Sequence, residues 1–126
     1  MMLVDTDVLI WHLRGYPQAK QRLDQLATPA ISAMSYFELL QGMRNKAEIS
    51  ALKDMLLLRN AAILPISEAI SRRAGDLMES LTLSHGLQTG DALIAATALE
   101  HQLPLLTGNL KHFAAVAQLR IEPFAV

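Results

Sequence analysis

The sequence predicts an α/β protein: a three-layer α/β/α fold on a short, mostly parallel sheet of about five strands. Two observations carry that expectation. Short apolar runs alternate along the chain with longer segments of helical period, the pattern of strands joined by helical crossovers. One helical segment, Asp91-Ala92-Leu93-Ile94-Ala95-Ala96-Thr97-Ala98-Leu99, is too apolar to lie on a surface and has to be covered by neighbours.

The elements follow in order. Met2 to Val4 reads as a buried strand, and a helix runs from about Asp7 to Leu13 until Gly15 and Pro17 break it. A second helix spans Pro17 to about Leu26, and Thr28-Pro29 punctuates the chain again. Ala30 to Ser32 is the second strand. Ser35 opens a helix reaching about Met43, and another covers Ala47 to Arg59. In the third strand, Ile63 to Ile66, Pro65 demands an edge position or a strand end. Ser67 to Ser84 forms a long amphipathic helix that Gly86 stops as a left-handed cap. The Asp91 helix ends near Gln102. Leu103 to Thr107 is the fourth strand, Asn109 to Phe113 a turn of helix, and Leu119 to Ile121 the fifth strand. Neither a repeat nor a low-complexity linker interrupts residues 1–126, so a single domain is expected.

Composition narrows the functional classes. With 126 residues the chain can bury a real core. A hydrophobic share of 52% and a mean hydropathy of +0.25 leave apolar surface for a partner or for self-association. Net charge is −1, so nucleic-acid binding would rest on a local patch rather than a global basic field. The absence of cysteine excludes disulfides and thiolate metal sites and fits a cytoplasmic location. No membrane association is expected, because every apolar stretch falls short of the ~20 residues that span a bilayer. Charge at Asp5 also arrives before a secretory apolar region can form.

Asp5 and Asp91 carry the chemistry. Asp5 closes the first strand and Asp91 opens the apolar helix, so both are placed for burial, yet no Lys or Arg lies within eight residues of either. A carboxylate taken out of water needs a compensating charge. That charge has to come from across the fold or from a metal ion, and a metal ion is the expectation. Sites in open parallel sheets form beyond the carboxyl ends of the strands. Asp5, Glu38, Asp91 and Asn109 are therefore expected to converge there from four separate segments.

Four segments together resemble a known family. Val4-Asp5-Thr6-Asp7-Val8-Leu9-Ile10, Ser35-Tyr36-Phe37-Glu38-Leu39-Leu40-Gln41-Gly42, Asp91-Ala92-Leu93-Ile94-Ala95-Ala96 and Leu106-Thr107-Gly108-Asn109-Leu110-Lys111-His112-Phe113 are similar to those of PIN domains. More narrowly, they resemble the VapC-type toxins of bacterial and archaeal toxin–antitoxin pairs. The resemblance implies a PIN-like fold and a Mg²⁺- or Mn²⁺-dependent endoribonuclease held inactive by a small antitoxin protein. The expected products are a 5′-phosphate and a 3′-hydroxyl. The family's acidic positions fall on Asp5, Glu38 and Asp91, and the fourth on Asn109, where many members carry Asp. Asp7 stands where the family often has Asn; it either restores the charge that Asn109 lacks or caps the following helix.

Elementary chemistry points the same way. Phosphodiester hydrolysis needs an activated water and stabilised charge on the phosphoryl oxygens, which divalent ions on carboxylates supply. Magnesium keeps several waters, so Asp5 and Asp91 suffice as metal ligands. The scattered His12, His85, His101 and His112 disfavour zinc. Glu38 would orient or deprotonate the water, and Asn109 with Thr107 would tune the surroundings by hydrogen bonding. Glu38 has a structural alternative, since Ser35-Tyr36-Phe37-Glu38 has the form of a capping box. Thr6 could bond the acidic cluster or cap the helix. Arg14, Arg44, Lys46 and Lys111 are candidates for RNA phosphates, although each also reads as a solvated charge. His112 reads as structural, and Trp11, Tyr36 and Phe37 as core or interface. Aromatic content of 5% is too low for a base-stacking platform.

Three rival readings exist. Asp5-Thr6-Asp7 mimics the Asp-x-Asp motif of haloacid-dehalogenase-type phosphatases, but the chain has no second acidic pair. A receiver domain would need a mid-chain Asp ending a strand, whereas Asp54 sits in a helical run. A non-cleaving PIN scaffold that binds RNA or protein is opposed by the retention of Asp5, Glu38 and Asp91. A homodimer is expected, with the apolar faces around Trp11, Leu39, Leu40 and Met43 serving it and an antitoxin helix.

Overall fold

In the computed structural model, which describes Met1–Val126, five of the short apolar runs contribute strands. The order is β1 (Met2–Val4), α1 (Thr6–Leu13), α2 (Pro17–Asp24), β2 (Pro29–Ser32), α3 (Ala33–Gln41), α4 (Lys46–Leu58) and β3 (Ala62–Leu64). Then follow α5 (Glu68–His85), α6 (Thr89–Glu100), β4 (Leu105–Thr107), α7 (Leu110–Phe113) and β5 (Ile121–Pro123). All pairings are parallel, in the strand order β3-β2-β1-β4-β5. The chain builds outward from β1 to β3, then crosses back to β4 and β5. Winding therefore reverses between β1 and β4, and the crevice beyond their carboxyl ends is where such sheets bind ligands.

Strand alternation sorts the core onto two faces. Val4, Ile31 and Leu106 turn toward Val8, Leu9, Leu23, Leu39, Leu52 and Leu56 of α1 to α4. Leu3, Ala30 and Leu105 turn toward Ile94, Ala95, Ala98 and Phe113 of α6 and α7. Register keeps the rows aligned: Leu3 pairs with both Ala30 and Leu105, and Val4 with Leu106. α5 covers the outer side of α6 through Ile70, Ala74, Ala92 and Ala96. The apolar Asp91 segment is thus enclosed, with Ala92 and Ile94 through Ala98 buried. Pro65 follows β3 directly, and β3 is an edge strand as its proline requires.

Three local expectations change. The helix after β2 begins at Ala33 rather than Ser35, because the extended backbone of Ser32 already offers its hydroxyl to the Met34 amide at 3.0 Å. Ser35 lies inside that helix, so no Ser35–Glu38 capping box exists. Similarly, α1 starts at Thr6 and its N-cap is Asp5, not Asp7. The fifth strand is Ile121–Pro123, not Leu119–Ile121. Gln118 adopts a left-handed φ of 67° and Leu119 turns against the Phe113 cluster, so pairing with β4 begins only at the Arg120 carbonyl.

Two glycines of α5 separate backbone strain from packing. Gly86 caps the helix at φ 67°, Gly75 lies in its exposed interior, and a Cβ at either meets nothing within 4 Å. Gly86→Ala is expected to destabilise the protein by about 1 kcal/mol. Gly75→Ala should stabilise it by roughly 0.5–1 kcal/mol. Urea titrations of both variants test this; equal signs would refute the assignment of Gly86 as an obligatory left-handed cap.

Candidate active site

β1 delivers Asp5 to the crevice, where two donors fix its carboxylate. The Thr6 amide donates to Oδ1 at 2.8 Å and the Thr107 hydroxyl, at the end of β4, donates to Oδ2 at 2.7 Å. The Thr107 oxygen in turn accepts from the Asn109 amide at 3.0 Å. Asp5 is only 4% exposed and pairs with no Lys, Arg or His. Burial, reinforced by the charge of Asp7, pushes its carboxyl up to about 7, against the opposing hydrogen bonds from Thr107 and Thr6.

Thr6 ties α1 to α3. Its hydroxyl donates to Glu38 Oε1 at 2.7 Å and lies 2.9 Å from the hydroxyl of buried Ser35. The other Glu38 oxygen lies against α6, where a Cβ on Gly90 would stand 3.2 Å from it. A side chain there would be tighter than ordinary contact and would push the Glu38 carboxylate back by a few tenths of an ångström. Asp91 comes next, in the first turn of α6. Burial raises its pKa, and His112 partly opposes the rise, with Nδ1 3.6 Å from Asp91 Oδ2.

Asp7 closes the opposite side. Its Oδ1 accepts from the Val8 amide at 2.8 Å and its Oδ2 from the Gly108 amide at 2.9 Å. Burial raises its pKa as well. A Cβ on Gly108 would sit 2.8 Å from that Asp7 oxygen and 3.1 Å from the Phe124 carbonyl. Close approach therefore requires the glycine. Asp5, Thr6, Asp7, Glu38 and Thr107 form one connected set, and Glu38 abuts Gly90, the residue before Asp91.

Asn109 meets the expectation only in part. Its amide joins the Thr107 network, but its exposed side chain makes no hydrogen bond, not even as a cap for α7. Among the candidate phosphate contacts, Arg44 is held by Glu48 at 2.8 Å. Lys46 and Lys111 are exposed at the starts of α4 and α7, and Arg14 lies with its guanidinium carbon 5.7 Å from the Trp11 ring centre. Sequence reasoning missed Ser35, Gly90, Gly108 and the contact of His112 with Asp91. The three small residues act through proximity that no local pattern encodes. His112 was legible only as a basic residue near the last motif.

No three His, Asp or Glu side chains are close enough to form a closed metal cage. The donors available are all oxygen, and burial disfavours charge on Asp5, Asp7 and Asp91. A hydrated hard cation, held through one or two carboxylates and keeping its own waters, suits this set.

Comparison with known proteins completes the assignment. The PIN domain matches residues 2–119. Ribonuclease VapC10 of Mycobacterium tuberculosis (strain CDC 1551 / Oshkosh) is 43% identical over all of this chain and 95% of its own length. Ribonuclease VapC19 of the same strain is 36% identical over 95% of this chain and 98% of its own length. Among solved structures, a toxin–antitoxin complex from Klebsiella pneumoniae superposes with a TM-score of 0.83 at 30% identity, covering both chains fully. VapBC2 from Rickettsia felis, bound to a DNA fragment from its promoter, gives 0.84 at 25% identity over 98% of each chain. With its acidic crevice at the sheet's switch point and these likenesses along its whole length, the chain belongs to the PIN-domain family, in its VapC ribonuclease branch.

Proposed function

We propose that residues 1–126 form a single-domain Mg²⁺- or Mn²⁺-dependent endoribonuclease, the toxin of a toxin–antitoxin pair acting in the cytoplasm. The observation that carries this reading is a deeply buried Asp5 carboxylate with no protein cation, joined through Thr6 to Glu38, which abuts Gly90, the residue before Asp91. Asp5 and Asp91 would hold the ion, which supplies an activated water and neutralises charge on the phosphoryl oxygens. Thr107 and the Thr6 amide fix Asp5 so that its free lone pairs face the crevice. Glu38, aimed by the Thr6 hydroxyl, would orient the attacking water and accept its proton. Asp7, anchored on the Gly108 amide, would support the cluster, and Asn109 would contribute from the rim. Attack on phosphorus breaks the P–O3′ bond and leaves a 5′-phosphate. Arg14, Lys46 and Lys111 remain candidates to bind neighbouring phosphates, whereas Arg44 is occupied by Glu48.

The partners follow from the same reading. VapBC assemblies among the solved relatives support a cognate antitoxin. Leu39 is buried, and Trp11, Leu40 and Met43 pack against the core, so these residues offer less free surface than their sequence suggests. The apolar side chains left outside include Phe37 (53% exposed), Leu57 (80%), Leu58 (87%) and Leu83 (100%). We assign self-association and antitoxin contacts to them. Light scattering at tens of micromolar should report a homodimer; a monomer would refute that assignment. No helix is long and apolar enough to cross a membrane.

Cleavage of end-labelled structured RNA tests the enzyme. Cuts are expected in Mg²⁺ or Mn²⁺, abolished by EDTA and by Asp91→Asn. Glu38→Gln should lower kcat by roughly 10²–10⁴-fold. A broad RNA panel left intact would point to a non-cleaving scaffold.

Metal-free stability gives an independent readout. Asp5 titrates near 7 in the folded chain against 3.8 as its ordinary value, so between these pH values the folded state holds a proton that the unfolded state has lost. Stability is then highest at low pH and falls as pH rises toward 7. The raised values of Asp7 and Asp91 act in the same direction, while His12, lowered chiefly by burial, opposes them below its ordinary 6.5. In EDTA the melting temperature is expected to drop between pH 5 and 8, and Asp5→Asn should raise it at pH 8. Mn²⁺ should flatten the wild-type profile. A melting temperature in EDTA that climbs toward pH 8 would contradict the buried, uncompensated carboxylate.

A further inference from the structure

We propose that the cleft beside Asp7 seats the nucleotide adjoining the scissile phosphate, with Arg14 gripping its phosphate and Trp11 holding Arg14 in position. This rests on the ribonuclease reading and names part of its substrate site. The cleft has a volume of about 540 Å³ and is lined by Asp7, Ile10, Trp11, Arg14, Asn109 and Phe124 among others. That size falls within the ~300–1,000 Å³ of small-ligand sites. Its inner wall is therefore a residue of the acidic cluster, and its outer wall is a cation.

Arg14 differs from the other basic candidates in being held by an aromatic ring, since Lys46 and Lys111 pair with no carboxylate either. Arg44 is neutralised by Glu48, Arg72 pairs with Glu68 and Arg73 with Glu100. Arg14 pairs with no carboxylate. Its guanidinium stands over the Trp11 ring at 5.7 Å, a cation–π contact that limits its freedom while leaving its N–H donors unspent. Tyr16 fixes Trp11 in turn, edge-on with ring centres 4.4 Å apart. The series Tyr16, Trp11, Arg14 thus orders a long side chain before any ligand arrives, lowering the entropy lost on binding. A polyanion crossing the acidic cluster on a bridging cation would meet its next positive charge here. A planar guanidinium also matches phosphate geometry with two parallel donors. The low aromatic content remains consistent, because Trp11 serves as a support for Arg14 rather than as a stacking platform.

Trp11 is the only tryptophan, so its emission reports on this cleft alone. The experiment titrates Asp91→Asn protein in Mg²⁺ with a short single-stranded RNA, following emission across a salt series. A saturable emission change is expected. Adding Arg14→Gln should weaken binding about fivefold at 0.15 M salt and reduce the log–log salt slope by about 1, while Arg44→Gln leaves the slope unchanged. In the cleaving protein, Trp11→Leu should raise KM while kcat holds. RNA that is bound and cut with emission and slope indifferent to Arg14 would overturn the proposal and leave the ribonuclease reading intact. A polyglutamate peptide that shifts emission where RNA does not would reassign the cleft to an acidic protein segment. Failure to bind or cut any RNA would overturn the ribonuclease reading and this proposal together.

Discussion

The hydrogen bond from Thr107 to Asp5 ties the acidic crevice to the fold. It joins the ends of the two strands between which the sheet reverses its winding, and it is made inside the protein. Neither partner could reach the other if β1 and β4 were not neighbours. Every other member of the cluster is placed relative to this pair: Thr6 and Asp7 by the helix that Asp5 caps, and Asn109 and Gly108 by the turn that Thr107 closes. A buried carboxylate held by only two donors is a poor way to gain stability. Under the proposed function a bound cation, which this unclaimed oxygen would help to hold, would offset that cost.

The surrounding packing keeps that arrangement narrow. Glycine at 108 lets Asp7 approach backbone at a distance a side chain would block, and glycine at 90 lets Glu38 approach at one a side chain would crowd. Thr6 spends its single proton on Glu38, which orders the carboxylate without neutralising it. The result is a set of acids, each fixed by its own contacts. His112, in reach of Asp91 from α7, is one basic group at its margin, and Arg14, in the cleft beside Asp7, is another.

Much of this was legible in the sequence. The layer order, the parallel sheet and the edge position of β3 follow from apolar runs and one proline, while two carboxylates without local cations mark Asp5 and Asp91 as candidates. Helix starts were less legible, because Ser32 and Ser35 are equally good caps by composition and only the end of β2 chooses between them. The same holds for Asp5 and Asp7. Glu38 stands out as a candidate in the motif, and its competing capping role is eliminated only by the register of α3. Asn109 illustrates the opposite failure: it stands at the right place in the motif, yet its side chain stays outside the network. Proximity between Gly90 and Glu38, or between His112 and Asp91, depends on helices that meet across the fold, and short-range patterns carry no trace of it.

The two faces of the sheet contribute different parts of the proposed site. Glu38 stands on a helix anchored in the core formed by α1 to α4, while Asp91 stands on the helix buried between the sheet and α5. A chain that has consolidated only one of these layers lacks either Asp91 or the other three acids, and with them the proposed site. For a molecule read as a poison to its own cell, incomplete folding is therefore also incomplete arming.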